Sequence, residues 1–471
     1  MKYIIIGGGP AGLSLAYTLA SNDIGVEVIE KNEQLGGSWN SQWVETDYWS
    51  ENAPRVLTYS DNTKRFLEEI GITTDDLGSI YGDYFRTNFK IVSFIAKYFT
   101  VTDYAIFTNA AVKYNIVDEP ITMHEWLTNS DMSNLAKNAI RIICITICDI
   151  PKKTNVNDFF GSISAASAFT QFKQPNKWHH LIETKLASMP HVTIKKKTMV
   201  NKLLENNNKI TGVVCKHLDT GMTETKTADK VVLCTQSDGI LNVIENSNAA
   251  VQNNWKPFKE MALWCQTTFY SAFSFQLHFS ETVEFPEEWC WSCESEWSII
   301  ILPISNWVTN FTKNLNVKTV WSCCIIDMET KSSVLNKTPN QCTKNEIVQE
   351  CLRQIKKNAN IPQPYHVTTS VGLEKKNGRW VSINTGFTRG EKDYLPMKGK
   401  IDNLFALGCF TKPTRASISY METAITSVVG YLSTYEKTIR GFHKPTYNDD
   451  VVQMITFLLI SGILANKLSL A

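Results

Sequence analysis

Charge of one sign is what this chain has least of. Lys and Arg number 47 and Asp and Glu 46 in 471 residues, a net charge of +1. No bulk field therefore draws the molecule to nucleic acid or to an anionic surface, and no nucleic-acid partner is expected. A disulfide framework is missing too. Twelve cysteines are spread along the chain, several inside apolar runs such as Cys144, Cys148, Cys215 and Cys234, and they read as buried thiols of a reducing compartment. Cys290 and Cys293 make one CxxC with neither a second CxxC nor a histidine pair at finger spacing, so no metal is expected. The histidine pair His179-His180 sits in a helical stretch without a carboxylate at metal spacing and reads as core or solvated side chains. An export signal is not expected, because only Lys2 precedes an apolar run that passes straight into Gly7-Gly8-Gly9. No repeat and no low-complexity tract is found.

What is present is apolar and aromatic: 43% apolar and 20% charged residues, with 22 Phe, 16 Tyr and 13 Trp, the balance of a packed globular protein. At roughly 150 residues per domain the length suggests two or three domains. Tyr3 to Ile6 reads as a strand, Pro10 to Ala20 as a helix and Gly25 to Ile29 as a second strand, a βαβ-like start. Helical spacing dominates from about 61 to 185, including Thr63 to Ile70 and Lys177 to Ala187. Short strands follow at Val192 to Ile194, Met199 to Leu204, Ile210 to Val214 and Lys230 to Cys234. Strand-like aromatic runs come next, among them Phe273 to Phe279 and Trp297 to Leu302. Lys344 to Asn358 reads as a helix with Thr343 and Glu346 at capping-box spacing. A strand at Leu404 to Leu407 precedes a last helix from about Ser419 to Glu436. Val451 to Ala465 is uncharged, and at ~1.5 Å per residue it falls short of a ~30 Å hydrocarbon core unless its flanks to Leu470 are included. Residues 451–470 are expected as a membrane helix, the alternative being an amphipathic helix docked on the body.

Gly7-Gly8-Gly9-Pro10-Ala11-Gly12 is a GxGxxG between the first strand and the helix. Gly7 allows the tight turn, Gly9 lets backbone approach a pyrophosphate at the helix N-terminus, and Gly12 lets the helix close on the strand. Glu30, at the end of the second strand, is placed to accept ribose hydroxyls, and its charge repels a 2′-phosphate, which favours FAD or NAD over NADP.

Glu30 is followed by Lys31 and then by Gly36-Gly37-Ser38-Trp39. A Gly pair six residues after the ribose acid resembles the extended fingerprint of the GG-doublet flavin-containing amine oxidoreductases, the family of monoamine oxidase, protoporphyrinogen oxidase and phytoene desaturase. Further segments match in order. Asn52-Ala53-Pro54-Arg55 resembles the stretch passing the flavin ring, Val200 the valine that meets adenine, and Lys230 to Thr235 the strand ending in the family's Ala-Thr pair. Gly408-Cys409, then Tyr420-Met421-Glu422, is similar to the closing flavin motif. The resemblance implies FAD as cofactor and an α/β fold: a Rossmann-like FAD-binding domain in discontinuous segments (1–60, 186–250, 376–436) plus an α+β substrate domain (61–185, 251–375), with a tail at 437–471. It implies Met421 beside the flavin and Tyr420 as one wall of an aromatic cage that aligns an amine for hydride transfer to flavin N5. A hydrophobic tail after that motif is also how monoamine oxidases attach to membranes, which implies a cytoplasmic-side, tail-anchored protein acting on a small molecule such as an amine.

Three positions depart from that pattern. The arginine after the Gly pair is Ser38, the acid expected near the end is Cys409, and the lysine that holds a water at flavin N5 aligns with Ser274. Arg55 and Ser38 are the groups on hand to compensate at the cofactor. Three other readings stay open: a desaturase or protoporphyrinogen oxidase, a flavin monooxygenase suggested by Gly-Gly-Ser-Trp39 but lacking a second GxGxxG, and a flavin fold without turnover. Oligomeric state is not legible.

Overall fold

The computed structural model describes residues 1–52, 55–58, 61–78, 97–146, 150–165, 169–268, 273–287, 290–382, 394–411 and 421–441. Its centre is a five-stranded parallel sheet built from distant parts of the chain, in the order Leu404–Ala406, Lys230–Leu233, β1 (Lys2–Ile6), β2 (Gly25–Ile29) and Val192–Lys195. Parallel strands buried on both faces are uniformly apolar, and β1 shows why. Tyr3 and Ile5 enter one core with Leu13, Leu15, Ile425 and Val428, while Ile4 and Ile6 enter another with Val200, Leu203 and Val213. Helix α1 (Pro10–Ala20) and the Met421–Tyr435 helix cover the first face. The second is covered by an antiparallel sheet of Thr198–Asn206, Lys209–His217 and Thr223–Thr227. The helices Asp61–Ile70 and Lys177–Ala187 also pack into the first core through Phe66, Leu67, Trp178 and Ile182.

A five-stranded antiparallel sheet forms the second body, with Phe273–Phe279 between Thr319–Ile325 and His366–Thr369. The Phe273–Phe279 strand alternates strictly. Phe273, Phe275, Leu277 and Phe279 fill an apolar core, while Ser274, Gln276 and His278 share the opposite face and are equally buried. That polar face lies against the β3 (Ser41–Val44) and β4 (Tyr48–Glu51) hairpin. Gln276 Nε2 donates to Glu51 O at 3.2 Å, and Ser370 Oγ donates to Glu51 O at 3.0 Å.

This is the expected α/β architecture of a Rossmann-like core joined to an α+β body. The Lys344–Lys356 helix begins with the capping box read from Thr343 and Glu346. Elements that escaped the sequence reading include the β3–β4 hairpin, the Thr223–Thr227 strand, the helix Ser237–Glu245 and the helix Phe258–Thr268, whose end falls in the stretch from about 262 read as strand-like. Residues 442–471, including the segment 451–470, lie outside the described residues. Among the described residues no helix is long and apolar enough to cross a membrane, and no group of three or more His, Cys, Asp or Glu could hold a metal ion.

Candidate functional site

The glycine-rich turn sits where β1 ends and α1 begins. Gly7 has φ +112°, and a Cβ there would stand 2.6 Å from Cys234 O, against the turn that carries Thr235. Gly12 admits no side chain, since a Cβ would lie 1.9 Å from Gly7 O. Gly9 is different. A Cβ built on it meets only Gly37 Cα, at 3.8 Å, so its outer side opens toward the second glycine pair. Gly36 and Gly37 both have positive φ, +104° and +58°, and a Cβ on Gly37 would stand 3.0 Å from Gly9 Cα. Two backbone segments without side chains thus face each other at the N-terminus of α1, with Pro10 in its first turn and Ala11 buried behind. Ser38 and Trp39 complete a short 3-10 turn, with Trp39 buried.

Glu30 closes the rim. Its Oε2 accepts the Gly8 N–H at 2.7 Å and its Oε1 the Asn32 N–H at 2.8 Å, so the loop itself orients the carboxylate. Burial pushes its pKa up, against those hydrogen bonds and the nearby Lys31. Each oxygen keeps a lone pair for a ribose hydroxyl. Val200 is buried in the core beneath Ile6 and Ile29. Its strand neighbour Thr198 donates its N–H to Glu30 O.

Arg55 is the group whose surroundings the sequence did not reveal. It is 6% exposed, its guanidinium carbon lies 5.8 Å from the centroid of Trp39, and its Nη1 donates to Asn40 O at 3.3 Å. Its Nε and Nη2 have no hydrogen-bond partner among the described residues, and neither do Asn40 Oδ1, Glu51 Oε1, Ser274 Oγ or either ring nitrogen of His179. Burial lowers the Arg55 pKa to about 10 and raises that of Glu51 to about 7, each opposed by the other's charge. His179 is wholly buried against Gly36, as a core histidine, and desolvation pushes it down to about 3, with His180, Lys196 and Arg55 adding to the shift. Unpaired buried polar atoms are rare in folded proteins, and those of Asn40 and His179 stand directly against Gly36.

On the far side, Leu407 N–H donates to Leu233 O, which sets Gly408 and Cys409 next to the strand that leads to Thr235. Burial raises the Cys409 thiol to about 12, so it is held protonated. Met421 is buried at the start of the last helix, and Glu422 in that first turn accepts the Thr63 N–H at 3.0 Å and the Thr63 hydroxyl. Ala53, Pro54 and Tyr420 lie outside the described residues. Ser274 meets the segment that ends at Asn52: Ser370 Oγ donates to Ser274 O at 3.2 Å and to Asn52 O at 2.9 Å. The open cradle, the oriented Glu30 carboxylate and the partly unpaired Arg55 guanidinium fit a dinucleotide. Gly7 to Gly12 and Gly37 would hold its pyrophosphate, Glu30 its ribose and Arg55 its charge.

Residues 5–70 match a family model described as an NAD(P)-binding Rossmann-like domain. Over nearly its whole length the chain is similar to an oxidoreductase from Methanosarcina mazei, at 13% identity, with 92% of this chain and 100% of that one covered and a TM-score of 0.61. A protein from Pyrococcus furiosus is 9% identical over 92% of this chain and 97% of its own, with a TM-score of 0.57. A protein from Exiguobacterium, provisionally described as a protoporphyrinogen oxidase, is 14% identical over 91% and 98%, with a TM-score of 0.53. At these identities the likeness shows the fold, and it is the fold implied by the Gly-pair resemblance.

Proposed function

We propose that this chain, which carries the NAD(P)-binding Rossmann-like domain over residues 5–70 and has the fold of the amine-oxidase-like oxidoreductases, is an FAD-dependent oxidoreductase that removes hydride from an amine or a related small molecule. The observation that carries the reading is the pairing of Gly9 with Gly37 across an open cradle, with Glu30 already oriented at its rim. When bound, the flavin supplies the two-electron acceptor. The chain's own part is to hold and orient. The first N–H groups of α1 would hold the pyrophosphate, because backbone donors and the helix dipole favour negative charge there. Arg55, rather than a residue directly after the Gly pair, brings a full positive charge to that side. The last helix presents its N-terminus at Met421, and Tyr420 precedes it as the wall that orients an amine.

Anaerobic mixing of the flavin-loaded protein with amines, a porphyrinogen and NADPH tests the reading. Bleaching of the visible flavin bands by an amine, slowed in Tyr420→Ala, is the expected result. Reduction by NADPH alone would turn the assignment toward a monooxygenase, and reduction by porphyrinogen toward that oxidase chemistry. A flavin-loaded protein reduced by none of them would leave a fold without turnover.

A further inference from the structure

Ser274 stands where the resemblance leads one to expect a lysine, and the structure places a different ionisable pair beside it. Glu51 ends β4 at 4% exposure and Arg55 follows at 6%. The Ser370 hydroxyl touches Glu51 O, Asn52 O and Ser274 O at 2.9 to 3.2 Å, so the backbone next to Glu51 and that of Ser274 meet on one side chain. No ion pair within 4.0 Å joins Glu51 to Arg55 among the described residues. Glu51 Oε1, Arg55 Nε, Arg55 Nη2 and Ser274 Oγ all lack partners there. A buried carboxyl and guanidinium held apart, with unsatisfied atoms on both, are poised to respond to a charge that appears nearby.

We propose that Glu51 is the proton-accepting group of the flavin site, binding one proton from water each time the site gains two electrons. The inference rests on the FAD reading above. Reduction that delivers two electrons and one proton leaves one added negative charge in the site. Glu51 forms an O–H bond with a second proton, its own negative charge disappears, and the total becomes two electrons and two protons. The groups that face Glu51 suit this role. Arg55 is the charged one, Thr319–Ile325 contributes the neutral Ser322, which hydrogen-bonds the Glu51 carboxyl, and Phe273–Phe279 contributes the neutral Gln276, which donates to Glu51 O. Burial holds the Glu51 pKa at about 7, so it is partly ionised near neutrality before reduction, and Arg55, at about 10, stays charged throughout.

The test is the midpoint potential of the bound flavin against pH, measured on the full chain with dithionite and a reference dye. One extra proton per two electrons changes the equilibrium tenfold per pH unit, which steepens the slope by about 30 mV per unit. The steeper limb is expected to begin near pH 7 in the wild type and to vanish in Glu51→Gln. In Arg55→Lys, which keeps the charge but loosens its placement, the limb should persist at a shifted pH. A wild-type slope without that limb, or an unchanged limb in Glu51→Gln, overturns the proposal. Where Glu51→Gln does not fold, the decision passes to the reduced-minus-oxidised infrared spectrum of the wild type labelled with carboxyl-13C glutamate. An isotope-shifted protonated-carboxyl band supports the proposal, and no shifted band contradicts it. A protein that binds no flavin at all removes the FAD reading itself, a failure visible before any titration.

Discussion

Gly37 sits at φ +58° within van der Waals reach of Gly9, and both of its functions need the missing side chain. Alanine there is strained whatever the space, and its methyl would press on Gly9 Cα. Gly37→Ala is expected to weaken FAD binding by tenfold or more in a flavin-fluorescence titration while the apoprotein stays folded. In Gly12→Ala the methyl would meet Gly7 O at 1.9 Å and should prevent folding altogether. His179 carries a second prediction. Its pKa in the folded chain, about 3, lies below the ordinary histidine value of 6.5. Between those values the unfolded chain binds the extra proton, so stability contributed by the neutral ring is full above pH 6.5 and lost as pH falls toward 3, at up to about 1.4 kcal/mol per unit. His179→Phe should flatten that acid limb in urea unfolding measured from pH 7 to pH 4. An unchanged limb would mean that the ring finds a partner or water. The glycines and Glu30 were legible because their chemistry lies in residue type and spacing. Arg55's unpaired nitrogens were not, since they depend on which neighbours the fold leaves out.

At the level of elements, β1, Lys230–Leu233 and Leu404–Ala406 were readable as short apolar runs, the mark of burial on both faces, and β2 as an alternating segment around Glu27. The Phe273–Phe279 strand was equally plain from its aromatic alternation, yet its Ser274, Gln276 and His278 face resembles a solvated one and is in fact packed against β4. Only tertiary contact distinguishes the two. Thr223–Thr227 was missed for the opposite reason: Thr-Glu-Thr-Lys-Thr has no apolar face, and it is held as a strand by pairing with Lys209–His217. The junction of the Asp61–Ile70 and Met421–Tyr435 helices is likewise tertiary. Glu422, in the first turn of one, receives the Thr63 N–H and hydroxyl in the first turn of the other. Bonds to a charged acceptor are worth about 1.5–3 kcal/mol. Glu422→Ala should therefore lower stability by about 2 kcal/mol, read as a lower urea midpoint at unchanged slope, and should loosen the start of the last helix. A loss within experimental error would mean that the contact is not formed in solution.

The whole molecule gathers residues 2–6, 25–29, 192–195, 230–233 and 404–406 into one sheet, an arrangement the order of the motifs implied and local patterns alone did not. The sequence-based expectation for 451–470 belongs to this scale as well. Expression of residues 1–448 should shift the protein from the membrane to the supernatant fraction if that segment anchors it, and the two forms should fractionate alike if it docks on the body. The central claim is narrower: the facing glycine pairs and Glu30 form a site for FAD. It is tested most directly by purifying the chain without added cofactor, recording its visible spectrum, and titrating any apoprotein with FAD, NAD and NADP. The account predicts about one flavin per chain, displaced by neither nicotinamide nucleotide and lost in Glu30→Ala. A colourless protein that binds NAD or NADP but not FAD would contradict it.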